Sequence, residues 1–201
     1  MKSRFWIAAI AVSALQTGTV AAIIAKRVNL LANGREIVLD VIPVDPRSLF
    51  RGDYVQLNYA ISRLPVSLLQ QAQEGAGERR VFVTLDRQKA GEDEKWVAVA
   101  ASTQRPELSE AEDKVVLRGS MIGVVVRGSL IGTPPIQSWS QTFNVRYGIE
   151  TYFVPEKKGE ELEKQARTGA IKTIVAVDRN GNTAIKGLIV GGTMRYDEPL
   201  F

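Results

Sequence analysis

The 201-residue chain contains no cysteine and no histidine. Without cysteine there are no disulfides, zinc–thiolate sites, iron–sulfur clusters or thiol nucleophiles. Without histidine, the commonest general base, the Ser-His-Asp arrangement and most transition-metal sites are excluded as well. Acidic residues are missing from the beginning of the chain, where the first is Glu36. The net charge of +4 belongs to that region. Setting Lys2, Arg4, Lys26 and Arg27 aside leaves 26 − 4 = 22 basic residues against 22 acidic ones. A neutral remainder disfavours nucleic-acid binding, so no nucleic-acid partner is expected. Hydrophobic residues make up 45% and charged residues 24%, which are globular averages and exclude a disordered chain.

What is present first is a long apolar run. Residues 5–25, FWIAAIAVSALQTGTVAAIIA, carry no charge. At 1.5 Å per residue they span about 30 Å as a helix, the thickness of a bilayer core. Basic residues bracket the run and Trp6 lies at its edge, where interfacial aromatics sit. Residues 1–27 are therefore expected to be a signal anchor that contacts membrane lipid, with the short N-terminus inside the cytoplasm. Residues 16–22 could instead close a cleaved signal peptide, but Ile23-Ile24 carries the apolar stretch on to Lys26-Arg27 and favours an uncleaved anchor. Ala14, Gly18 and Ala22 form a small-residue face, which chance alone also produces in an alanine-rich helix. On this reading residues 28–201 form a periplasmic domain held at the inner membrane.

That domain alternates short β-type runs with turn signals. Strands are expected at 35–42 and 54–61, a helix at 66–73, and a hairpin from 80–86 and 95–101. After Pro106 the pattern restarts. Residues 114–117 (KVVL) match 36–39 (EIVL), and 143–149 (FNVRYGI) match 55–61 (VQLNYAI). A helix at 158–167 takes the place of 66–73, and Asp178-Arg179 matches Asp86-Arg87. The offsets are 147 − 59 = 88 and 178 − 86 = 92. The fold class expected is α+β: a transmembrane helix, then a β-rich domain of two tandem pseudo-repeats, about 35–108 and 113–200, each β-β-α-β-β.

Two clusters stand out as motifs. Gly52-Asp53-Tyr54-Val55-Gln56-Leu57-Asn58-Tyr59 contains GDY-x-x-L-x-Y in full, and Tyr147-Gly148-Ile149-Glu150-Thr151-Tyr152-Phe153-Val154-Pro155-Glu156 follows downstream. In these residues, and in its N-terminal anchor, the chain resembles the bacterial GDYXXLXY family of membrane-anchored proteins. The resemblance implies no particular activity. It does imply a multi-pass membrane protein as partner, because related domains occur joined to, or encoded beside, such proteins.

Read physically, Gly52 permits a tight turn and Asp53 can accept backbone N–H groups where a loop meets a strand. Strand alternation puts Leu57 and Tyr59 on one face and Tyr54 on the other, as in ordinary core architecture. The residues of both clusters (Gly52, Asp53, Tyr54, Leu57 and Tyr59; Tyr147, Gly148, Glu150, Tyr152 and Pro155) are thus expected to be structural. A Ser–Lys hydrolase needs no histidine, and Lys114 stands in a strand that could supply a neutral lysine. The place of its serine, however, holds Pro43-Val44-Asp45, and Ser48 is too close to Gly52. Nothing in the pattern predicts that Asp53 and Glu150 converge, so no metal and no cofactor is expected. The function expected is an accessory or interaction module for a membrane partner; the alternative is a cell-envelope hydrolase with an unrecognised Ser–Lys or carboxylate site.

Overall fold

No proline precedes Pro43, and Gly18 is the single glycine before Gly34, so nothing interrupts helix formation at the beginning of the chain. In the computed structural model, which describes residues 2–42, 54–70, 79–90, 93–107, 113–122, 142–153 and 171–197, helix α1 spans Lys2–Asn33. It continues well past the expected boundary at residue 27. The reason is packing. Leu30 and Leu31 are buried against Ala176 and Ala184, whose small side chains leave room for the helix on the outer face of a sheet. A fully buried leucine contributes about 1.5–3 kcal/mol, enough to hold the last helical turns on the domain. Gly34 ends the helix by donating its N–H to Leu30 O at 2.9 Å. Strand β1 (Arg35–Asp40) begins at the next residue, so one glycine is the whole connection between helix and sheet.

The strands that follow are β2 (Tyr54–Gln56), β3 (Arg63–Pro65), β4 (Arg79–Ala90), β5 (Asp93–Ser102), β6 (Lys114–Ile122), β7 (Thr142–Arg146), β8 (Thr151–Phe153), β9 (Ile171–Val177), β10 (Thr183–Val190) and β11 (Thr193–Asp197). Among the described residues they make sheets of order β1-β9-β10-β11, β3-β7-β6-β4-β5 and β2-β8, with antiparallel pairing throughout. Alternation sets their faces. Ile37 and Leu39 of β1, Val115 and Leu117 of β6, and Phe143 and Val145 of β7 all point inward. One continuous core joins them to Leu57, Leu85, Ile171 and Leu188.

Pairing crosses between the two parts of the sequence. The early strand β1 pairs with the late β9 (Ile37 opposite Val175), while β6 turns back to β4 (Leu117 opposite Val83). Likewise β2 pairs with β8 and β3 with β7. Both long hairpins, β4–β5 and β9–β10, carry one register shift, at Thr84/Leu85 and at Ile185/Gly187.

The architecture is therefore α+β, an apolar helix followed by a strand-rich domain. Several expectations need correction. Residues 54–61 are not one strand: β2 stops at Gln56, and a 3-10 turn occupies Ala60–Ser62, because Tyr59 must turn inward across the core. In place of the helix expected at 66–73 there is a 3-10 turn, Val66–Leu68, after which Leu69 is extended and bridges Ala101, with residues 71–73 outside the described residues; the helix expected at 158–167 lies wholly outside them. Asp86 and Asp178 do not correspond. Asp86 lies within β4 opposite Val97 and Lys114, whereas Asp178 follows the end of β9 and shapes a turn. Strand β11 was not anticipated.

The joint at Gly34 is open to test. A Cβ there would lie 2.4 Å from Leu30 O and 3.1 Å from the Ala176 Cβ. Gly34→Ala is expected to cost about 1–3 kcal/mol, as overpacking does. At about 2–4 °C per kcal/mol for a domain of this size, thermal unfolding of the full chain in detergent should show a midpoint several degrees lower.

Candidate functional site

Where a chain crosses a core without forming a ladder, its carbonyls still need donors. Residues 57–62 and 147–150 do this, and they include Leu57 and Tyr59 of the first motif cluster and Tyr147, Gly148 and Glu150 of the second. Leu57 donates its N–H to Glu150 O at 2.7 Å, and Asn58 O accepts from Ile42 N–H at 2.7 Å. Tyr59, 1% exposed, bridges to Val41 and donates its phenol to Ile149 O at 2.7 Å. Tyr147, 6% exposed, donates its phenol to Ile61 O at 2.8 Å. The two contacts are reciprocal: each tyrosine caps the carbonyl two residues beyond the other.

Burial pushes the Tyr59 phenol well above its ordinary value, with the Thr173 hydroxyl opposing the rise and the Glu150 carboxylate adding to it. Thr173 Oγ1 is itself buried and makes no hydrogen bond of good geometry. Tyr147 is raised in the same way, by burial first and by Glu150 second. Neither phenol is suited to proton transfer near neutral pH.

Glu150 also has its full geometry here. Its carboxylate accepts the N–H groups of Tyr147 and Gly148, the second at 2.9 Å, and Gly148 has φ +81°. The carboxylate is a local clamp on the turn that aims Tyr147 inward. Tyr152 is buried opposite Val55, and Leu57 has no exposure. Leu57 and Tyr59 thus share the buried side, as alternation requires. The backbone of Tyr54 pairs with Phe153. Gly52, Asp53 and Pro155 lie outside the described residues, as do Pro43-Val44-Asp45 and Ser48. The structure brings together Leu57, Tyr59, Tyr147, Gly148 and Glu150 on backbone contacts, and Tyr152 joins the same core.

Away from the motifs, an open groove of about 620 Å³ runs beside β1, lined by Arg35, Arg87, Glu94, Trp96 and Lys172 among others. Arg35 lies over the Trp96 ring at 5.3 Å, a cation–π distance. Arg87 bridges Glu94 at 3.5 Å and Asp113 at 2.7 Å, and its hydrogen bond holds the Asp113 carboxyl below its ordinary value. Lys114, the lysine a Ser–Lys mechanism would need desolvated, is exposed at the start of β6.

Sequence reasoning missed Leu30, Leu31 and Gly34 as the helix–domain joint, because the apolar run ends before them. It also missed Glu150 as a clamp. The Gly148-x-Glu150 spacing was the available signal, since a carboxylate two residues after a positive-φ glycine can fold back onto the turn's N–H groups.

Compared with known proteins, the chain matches a family model described as GDYXXLXY protein over residues 16–188. Neither the curated proteins nor the solved structures give a match.

Three outcomes follow from the geometry. Tyr59→Phe and Tyr147→Phe should each cost about 1–3 kcal/mol in denaturant unfolding, because each leaves a buried carbonyl unpaired. The phenols are raised in the folded state above 10.0, so their contribution is complete below pH 10 and is lost as pH rises beyond it. Stability should therefore fall above pH 10, and each Phe variant should reduce that slope. Finally, Glu150→Ala should destabilise more than Glu150→Gln, whose amide oxygen still accepts one N–H; calorimetry of the two variants checks the order.

Proposed function

Because the chain belongs to the GDYXXLXY protein family, we propose that it is a single-pass inner-membrane protein whose periplasmic domain is an accessory module for a multi-pass membrane partner. The observation that carries this reading is the use of the family's motif. Among the described side chains, three of its aromatic and acidic groups serve the fold: the Tyr59 and Tyr147 phenols cap carbonyls and Glu150 clamps a turn. Side chains so engaged are not available as acids, bases or nucleophiles, which favours surface recognition over catalysis by these residues. The segment Trp6–Asn33 is long and apolar enough to cross a membrane, and its large apolar side chains from Trp6 to Ile24 are exposed. The exposure of Lys114 argues against the hydrolase alternative, whose general base would have to be desolvated.

The domain is further read as a tandem duplication whose halves exchange strands. The reciprocal tyrosines support it. So do the orders β1-β9-β10 and β6-β4-β5, in which the first strand of each half lies on the hairpin of the other. The ladders Arg63↔Asn144 and Thr151↔Gln56 interconvert under the same offset as the tyrosines. The two register shifts align Leu85 with Val175.

The topology is tested with reporters fused after Phe201. A periplasm-dependent reporter should be active and a cytoplasm-dependent one silent, with the protein in the membrane fraction and Met1–Ala22 retained. A soluble product starting near Ile23 would exclude the anchor. Affinity purification of the full chain from solubilised membranes should recover a multi-pass protein, and recovery of the chain alone would count against the module.

A further inference from the structure

The absence of a linker keeps the joint end of the domain close to lipid, while the tilt of the helix sets how closely that end meets the headgroups. We propose that the helix-bearing end of the domain is a docking surface for anionic lipid headgroups, an inference that rests on the membrane-anchor reading above. With residues 5–25 in hydrocarbon, Leu30 is five helical residues beyond the apolar run, about 7 Å along the axis. The headgroup layer on one side of a bilayer is roughly 5–8 Å thick. Leu30 and Leu31 already pack on Ala176 and Ala184, so the domain begins where the headgroups end.

The surface that this places next to lipid is defined by the joint. A Cβ on Gly34 would lie 3.2 Å from Val177 N, and residues 178–182 form the turn that follows Val177. Arg179 is exposed in that turn. The guanidinium of Arg105, also exposed, bonds Arg179 O and Asn180 Oδ1. Exposed Arg118 joins the same turn through its backbone N–H to Gly181 O at 2.8 Å and its side chain to Asn182 Oδ1 at 3.2 Å. Lys26 and Arg27 add two exposed cations on the last part of the helix.

The carboxylates nearby are engaged. Asp178 accepts the Asn180 and Asn182 N–H groups and the Asn182 amide within the turn, and Glu36 holds Lys186 at 2.6 Å. Among the described residues, Glu107, exposed two residues after Arg105, and Asp113, held by Arg87 at 2.7 Å, are opposing charges. Cations presented within one Debye length, about 10 Å, of an anionic leaflet are attracted to it, and the attraction is screened by salt. A domain that presents Arg105, Arg118 and Arg179 around one turn beside the joint is therefore oriented as well as tethered, and presents its opposite end to a partner.

The absence of cysteine makes the test clean, since one introduced thiol takes the only spin label. Gln104→Cys places a label on an exposed side chain beside Arg105; Thr193→Cys places one beyond the far end of β10, about 23 Å along the strand from its start. The full chain is reconstituted into nanodiscs of phosphatidylcholine with or without 30% phosphatidylglycerol, each doped with a nickel-chelating lipid as surface relaxant. In the anionic discs the label at 104 should relax at least about three-fold more than that at 193. That excess should fall by half or more in neutral discs, in 0.5 M salt, or with Arg105→Gln/Arg179→Gln. Equal relaxation at both sites, or an excess indifferent to lipid charge, salt and the double substitution, overturns the docking surface. Failure of the full chain to elute with the discs overturns the anchor reading instead, so the two failures are distinguishable.

Discussion

A carbonyl buried in a core must find a donor, and that constraint organises this domain. Residues 57–62 and 147–150 cross the interior with little regular structure, so neighbouring strands cannot supply all their partners. The two tyrosines solve this by reaching across, Tyr59 to Ile149 O and Tyr147 to Ile61 O. A phenol suits the task because its ring fills core volume while its hydroxyl reaches a distant backbone atom. The rest depends on these crossings holding. They let β2 pair with β8 and β3 with β7, and they allow β1 to leave its sequence neighbours for β9. Glu150 contributes indirectly, by clamping the turn from which Tyr147 departs.

The second organising feature is the helix joint. A helix that entered lipid through a flexible linker would leave its domain free to tumble. Here Gly34 alone separates Asn33 from Arg35, and Leu30 and Leu31 are buried on the sheet. The orientation of the helix and that of the domain are therefore one variable. A partner that tilts or rotates the helix in the membrane moves the domain with it, and the reverse also holds.

Much of the fold was legible in the sequence because local signals and tertiary demands agree there. The apolar run before Lys26 reads as a helix, alternation in residues 35–40 and 114–117 reads as strands, and β4 and β5 read as a hairpin. The signals failed where a local pattern was overruled from a distance. Tyr54 to Ile61 alternates like a strand, yet it bends at Leu57 because Tyr59 is needed in the core. Asp86 and Asp178 share an Asp-Arg pair, but one is inside a long strand and the other caps a turn with Gly181 at φ +79°.

The residues alone dictate a lipid-compatible helix ahead of a strand-rich domain and rule out thiol, imidazole and disulfide chemistry in this chain. Composition and periodicity suffice for these, since each depends on residue types or on nearest neighbours along the chain. Which strands pair, and with which part of the chain, was decided only in three dimensions. So was the role of Glu150, and so was the conversion of Leu30, Leu31 and Gly34 from the end of a hydrophobic helix into a fixed joint. Each of these rests on a contact between residues far apart in sequence, where a carbonyl, a small alanine or a backbone N–H waits at a distance that no local pattern records.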